Sequence, residues 1–210
     1  MNPSGGNVVD LGPPPRPGVR RAVPNGVLAM AMFVGVEVML FAGFISAFTI
    51  VKASYAPGTW PPPDQPRLPI EATALTTLLL LASGAALWES GRRARREWAS
   101  LAGLGQPSRV ALRWLGLATG MGAAFIAVQG FEWARLLAQG LTLQSSPYGA
   151  FFYMIVGAHA LHAIPAIFAL VYAWLRMSRG ALSEEAFATI RLFWYFVVLV
   201  WPVLYWKVYL

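Results

Sequence analysis

A chain of 210 residues that is 57% hydrophobic and only 12% charged lies far below the roughly 25% charged usual for a soluble domain. Its net charge of +7 rests mostly on arginines that flank apolar runs, which marks them as topology signals and argues against a nucleic-acid surface. The absence of cysteine excludes disulfides, thiolate metal sites and a cysteine nucleophile.

Residues 1–24 are rich in Gly and Pro and predict a flexible cytoplasmic tail. They hold no short apolar core with a small-residue cleavage site, so no cleaved signal peptide is expected. The apolar residues of the expected membrane domain, 25–210, fall into blocks that each approach the roughly 20 residues needed to cross a bilayer. Spans are predicted at about 27–51, 70–90, 112–136, 148–175 and 190–209. Period-two alternation is missing, so the fold class is an all-α polytopic bundle of five transmembrane helices and not a barrel.

The connections alternate in charge. Arg16, Arg20 and Arg21 precede the first span. Arg92, Arg93, Arg95 and Arg96 follow the second, and Arg176 and Arg179 follow the fourth. The other two loops are nearly free of base. Positive-inside bias therefore puts the N-terminus in the cytoplasm and the C-terminus outside, and an odd number of spans requires opposite ends. The loop over 57–69 carries Trp60-Pro61-Pro62-Pro63 and reads as extended and rigid. Trp60, Trp88, Trp114, Trp133, Trp201 and Trp206 fall near expected span ends, as an aromatic belt requires.

Few polar groups lie at membrane depth, and each asks for a reason. Glu37 stands inside the first span on a stripe with Phe41, Phe44 and Phe48. A carboxyl there is costly, and it reads either as a hydrogen-bonding link between helices or as a proton-handling group. His159 and His162 lie three residues apart on one side of the fourth span. A metal centre normally needs three or four protein ligands, so these two predict no metal site and no redox metal held by this chain. Gln129 and Glu132 close the third span, with Arg135 placed to pair with Glu132. Gly116 and Gly120 have the spacing of a close helix approach. The Arg92–Arg96 cluster reads as a stop-transfer flank with a second role at anionic lipid headgroups.

Taken together, these stretches resemble subunit III of the haem-copper terminal oxidases, in its shorter five-helix form. Glu37-Val38-Met39-Leu40-Phe41-Ala42-Gly43-Phe44 is similar to the family's acid and the aromatic stretch after it. Thr76-Thr77 and Leu81-Ala82-Ser83-Gly84 resemble its second block, and Gln129-x-x-Glu132-Trp133 its Gln-x-x-Glu-aromatic signature. The most specific stretch is Tyr148-Gly149-x-Phe151-Phe152 followed by Gly157-x-His159-x-x-His162. In the last span Tyr195 and Val198 stand where the family carries His and Asp, and Ala160-Leu161 lacks the family's glycine.

The resemblance implies an accessory subunit with no active site of its own. Haem and copper then belong to partner subunits, chiefly the catalytic subunit I. This chain would pack against that subunit, hold membrane phospholipid and support proton uptake in a bacterial plasma membrane. By the same resemblance Glu37 is the buried carboxylate and Gln129, Glu132, His159 and His162 are the polar set. Phe41, Phe44 and Phe48, with Arg92, Arg93 and Arg96, are the candidates for a lipid cleft. The altered last span also fits a quinol-oxidase or nitric-oxide-reductase relative. A small proton-coupled transporter is the rival of another class, weakened by the lack of internal repeats.

Overall fold

The computed structural model describes residues 24–56, 58–62, 65–100 and 108–210, so the expected tail apart from Pro24 lies outside the described residues. Five α-helices follow in chain order: α1 Asn25–Ala53, α2 Ile70–Ser100, α3 Arg109–Ala138, α4 Pro147–Ser178 and α5 Glu184–Leu204. A π-helical turn over Tyr205–Tyr209 continues α5, just past Pro202. All five are long and apolar enough to cross a membrane.

Local chemistry sets the helix ends. Ser108, Ser146 and Ser183 cap α3, α4 and α5, each side-chain oxygen accepting from a backbone N–H three residues on. At the other end of α3, Gly140 takes a left-handed φ of 89°, and the Leu141 N–H reaches back to the Leu136 carbonyl at 3.0 Å. Gly180, φ 64°, closes α4 in the same way through the Ala181 N–H.

Two ends depart from the expected spans. α2 runs on to Ser100, so Arg92, Arg93, Arg95 and Arg96 lie on its last turns and not in a loop. The apolar run stops near Ser90 but helix propensity does not. Arg is a good helix former, and Glu89 meets Arg92 at 2.8 Å and Arg93 at 2.6 Å across one turn. α5 starts at Glu184, earlier than the expected 190, because Ser183 caps it and Glu184 and Glu185 suit its first turn.

Between helices in a bilayer, packing and hydrogen bonds replace the hydrophobic drive. α2 and α3 form the closest pair, joined by Ser83 Oγ donating to the Ala118 carbonyl and Ser90 Oγ donating to the Ala111 carbonyl, each at 2.8 Å. α5 packs against α1, α2 and α4. Its Trp194 Nε1 donates to Ser83 Oγ at 3.1 Å, and its Trp201 Nε1 donates to Thr77 Oγ1 at 2.9 Å. Trp201 is therefore a core residue and not part of an interfacial belt. Among the glycines that admit close contact between helices are Gly122, under the Trp194 ring, and Gly84, under Val198. Of the Gly116/Gly120 pair, Gly120 has open space beside it, whereas a Cβ on Gly116 would stand 3.1 Å from Trp174 Nε1 of α4.

α1 is the least enclosed element. It lies along α5 and α4 and buries Phe41 and Phe48, while Met32, Val36 and Met39 stay exposed.

Candidate functional site

Glu37 points inward. On α1 it faces α4, where His162 Nε2 lies 3.1 Å from its Oε2, and both side chains are mostly buried. The approach is close but off the line of a hydrogen bond. His162 Nδ1 lies 2.7 Å from the Ala158 carbonyl, which can only accept, so Nδ1 carries a proton. The contact gives the carboxyl a polar neighbour inside the bundle, where lipid would offer none. The rings of Phe33, Phe41 and Phe196 stand 6.2, 5.8 and 5.7 Å from the His162 ring and enclose the pair.

His159, one turn earlier on α4, faces elsewhere. It is 2% exposed and lies 5.0 Å from the Trp201 ring of α5. With Gln129 and Trp133 of α3 it lines a cavity of about 190 Å³. Gln129 Nε2 donates to Thr76 Oγ1 at 2.9 Å, tying α3 to α2. Gln129 Oε1, Trp133 Nε1 and both ring nitrogens of His159 have no hydrogen-bond partner among the described residues. The cavity wall itself is almost wholly apolar, so these polar atoms are buried beside it and do not open onto it.

The two histidines share the Phe41 ring, 6.4 Å from His159 and 5.8 Å from His162, but lie in different polar surroundings. Among the described residues no three His, Asp or Glu side chains gather as metal ligands. Glu132 pairs with Arg135 at 3.7 Å near the end of α3, apart from Glu37. The family polar set is therefore divided among three places: Glu37 with His162, Gln129 with His159, and Glu132 with Arg135.

The lipid-cleft candidates separate as well. An apolar groove of about 400 Å³ runs between α1 and α5, with Phe41, Val38 and Ile45 on one wall and Phe196, Leu199 and Val203 on the other. Phe44 touches Phe41 edge-on and is not part of the wall. Phe48 is buried beneath Trp60 and Phe151, away from the groove. Arg92 and Arg93 are engaged with Glu89, whereas Arg96 is exposed.

Sequence reasoning missed Arg191. Its side chain is 8% exposed on α5, stacked against the Phe187 and Tyr195 rings. The signal was present: a single arginine just inside the block expected at 190–209. Thr76, Thr77 and Ser83 were seen only as family pattern, although they accept the hydrogen bonds of Gln129, Trp201 and Trp194.

The family model described as cytochrome c oxidase subunit III matches residues 18–210. A probable cytochrome c oxidase subunit 3 of Nocardia farcinica is 30% identical over 190 residues, covering 89% of this chain and 88% of that protein. The probable cytochrome c oxidase subunit 3 of Mycobacterium leprae is 29% identical with the same coverage. The cytochrome c oxidase subunit 3 of Hippopotamus amphibius is 29% identical over 189 residues, covering 86% of this chain and 67% of that protein.

Proposed function

This chain belongs to the cytochrome c oxidase subunit III family, and from that premise we propose how its bundle serves an oxidase. It is a non-catalytic accessory subunit of a haem-copper oxidase. It packs against the catalytic subunit I, which holds the haem and copper, in a bacterial plasma membrane. The N-terminus lies in the cytoplasm and the C-terminus outside, a placement supported by the arginines at the ends of α2 and α4.

One observation carries the accessory reading: α1 has two unlike faces. Glu37 is turned in toward His162, while Val36 and Met39, 64% and 75% exposed, face out. A helix so uniformly apolar needs lipid or another subunit around it. The α1/α5 groove is the acyl-chain site of this reading, with Phe41 in its wall and Phe44 behind. Glu37 and His162 hold α1 in register on α4, and that register keeps the groove and the outer face in place beside the catalytic subunit. Support of proton uptake during turnover follows from that placement.

The test is a mild-detergent pull-down of the tagged chain with a visible absorption spectrum. Haem bands and a histidine-rich catalytic partner are expected, and oxygen uptake with cytochrome c or quinol then names the electron donor. A colourless preparation of a stable single chain would overturn the reading and favour a transporter.

A further inference from the structure

Lys52, on the last turn of α1, and Arg67, three residues before α2, line one pocket of about 300 Å³ beside the π-helical turn. Both side chains are exposed, and neither meets a carboxylate among the described residues. Lys52 Nζ stands 6.0 Å from the centre of the Phe48 ring, a weak contact that leaves its charge available. No Asp or Glu side chain lines this pocket among the described residues. It lies at the end of the bundle away from the arginines that follow α2 and α4, where cations are scarce and a pair of them stands out.

The rest of the wall is aromatic and held in place. Trp60, Tyr148 and Tyr209 contribute rings to it. The Trp60 ring stands edge-on to Tyr55, Tyr148 and Phe48 at 4.9, 5.4 and 5.7 Å. The connection that carries Trp60 and Arg67 is pinned at two points: Leu68 is buried, and Gln65 Oε1 accepts from Ser145 Oγ at 3.0 Å. The pocket is therefore formed before a guest arrives, which lowers the ordering cost of binding. Two cations with no acid call for an anion, and the rings call for an apolar group beside it. Trp, Tyr and Arg are also the side chains that dominate contacts between proteins. The pocket shares no lining residue with the apolar α1/α5 groove, so its wall does not lead an acyl chain into that groove.

We propose that this pocket receives a carboxylate side chain from another polypeptide of the complex, on an acidic segment that lies outside the hydrocarbon. The carboxylate sits between the Lys52 ammonium and the Arg67 guanidinium, which matches it in a forked, charge-assisted geometry. An apolar or aromatic neighbour on the same segment packs against Trp60. Such a contact adds to the helix packing within the bilayer by fixing which way the partner is turned, the usual gift of charge complementarity. This deepens the accessory role proposed above and rests on it for the existence of a partner.

The tagged chain is purified with its partners in mild detergent, treated with a water-soluble carbodiimide, digested and read by mass spectrometry. The reagent activates a carboxylate, the Lys52 amine displaces it as a urea, and an amide forms only where amine and carboxylate touch. Wild type should show Lys52 joined to an Asp or Glu of another chain, with a yield that falls as salt is raised. Arg67→Gln, at an exposed position, should lower that yield roughly threefold. Lys52→Arg keeps the charge, removes the reactive amine and should abolish the link. No link from Lys52, a link only within this chain, or a yield untouched by Arg67→Gln overturns the proposal. So does an anionic phospholipid that native mass spectrometry finds on wild type and not on Arg67→Gln, with no polypeptide link. Haem bands in the same sample report on the accessory role. Haem with Lys52 unlinked defeats the pocket proposal alone, a linked partner in a colourless sample defeats the accessory role alone, and a colourless single chain defeats both.

Discussion

Gly122 and Gly120 lie two residues apart on α3 and predict opposite outcomes. A Cβ on Gly122 would stand 2.6 Å from the Trp194 ring and 2.7 Å from Ile167 Cδ1; the end of Ile167 can turn aside, but the fully buried Trp194 ring has nowhere to go. Gly122→Ala should destabilise the purified protein by about 1–3 kcal/mol, read as a lower melting temperature in detergent. Gly120→Ala meets nothing and should be neutral or gain up to about 1 kcal/mol from helix propensity. The motif spacing picked out Gly116, which does meet Trp174 of α4, together with Gly120, which meets nothing, because spacing says which residues share a face and not which helix lies on that face. Glu37 was legible for a better reason: a lone acid in an apolar block is conspicuous whatever surrounds it. Its partner was legible only as a histidine somewhere in another span. Glu37→Gln should leave assembly intact and change stability by no more than about 2 kcal/mol, since an amide can still meet the His162 ring. A thermal-shift assay and recovery of haem-bearing partners check both parts, and loss of assembly would show that the carboxyl holds the structure in a way a neutral amide cannot.

Helix by helix, hydropathy located all five long apolar helices, and two of those helices run well past the expected spans. The block ending near 90 marks where α2 leaves the hydrocarbon, but the helix itself is sustained by Glu89, Arg92 and Arg93 beyond that point. What joins the elements was largely invisible, because a serine or threonine in an apolar helix reads as tolerated polarity. Ser83 shows the difference. It donates to the Ala118 carbonyl of α3 and accepts from Trp194 Nε1 of α5, so one hydroxyl links three helices. Ser83→Ala leaves a buried indole N–H unpaired and should cost about 1–3 kcal/mol. Equilibrium unfolding of the purified chain in a mixed-micelle titration measures it, with Thr49→Val as the control, since the Thr49 hydroxyl bonds only back to the Ile45 carbonyl of its own helix. A Ser83→Ala loss no greater than that of the control would remove Ser83 from the junction.

For the whole molecule, five helices long and apolar enough to cross a bilayer lead to the expectation that the two chain ends lie on opposite sides of it. Alkaline phosphatase fused after Leu210 should be active in intact cells, and a fluorescent protein fused before Met1 should glow; the reverse pattern would invert the proposed orientation. The fold class and the site's residue types could be read from one dimension. The division of the polar set could not, since His159 and His162 are separated by about one turn and yet serve different neighbours. The exposure of α1 also bears on how the protein is made. α1 enters the bilayer first, yet the helices it leans on, α4 and α5, are the last two to be synthesised. His162 is added about 125 residues after Glu37, roughly 6–25 s later at about 5–20 residues per second. Through that interval α1 lacks the two helices it packs against, and its nearly unbroken apolar surface suits it to lipid. The Glu37–His162 contact is thus a late event of biogenesis, a latch that closes only when the fourth helix arrives.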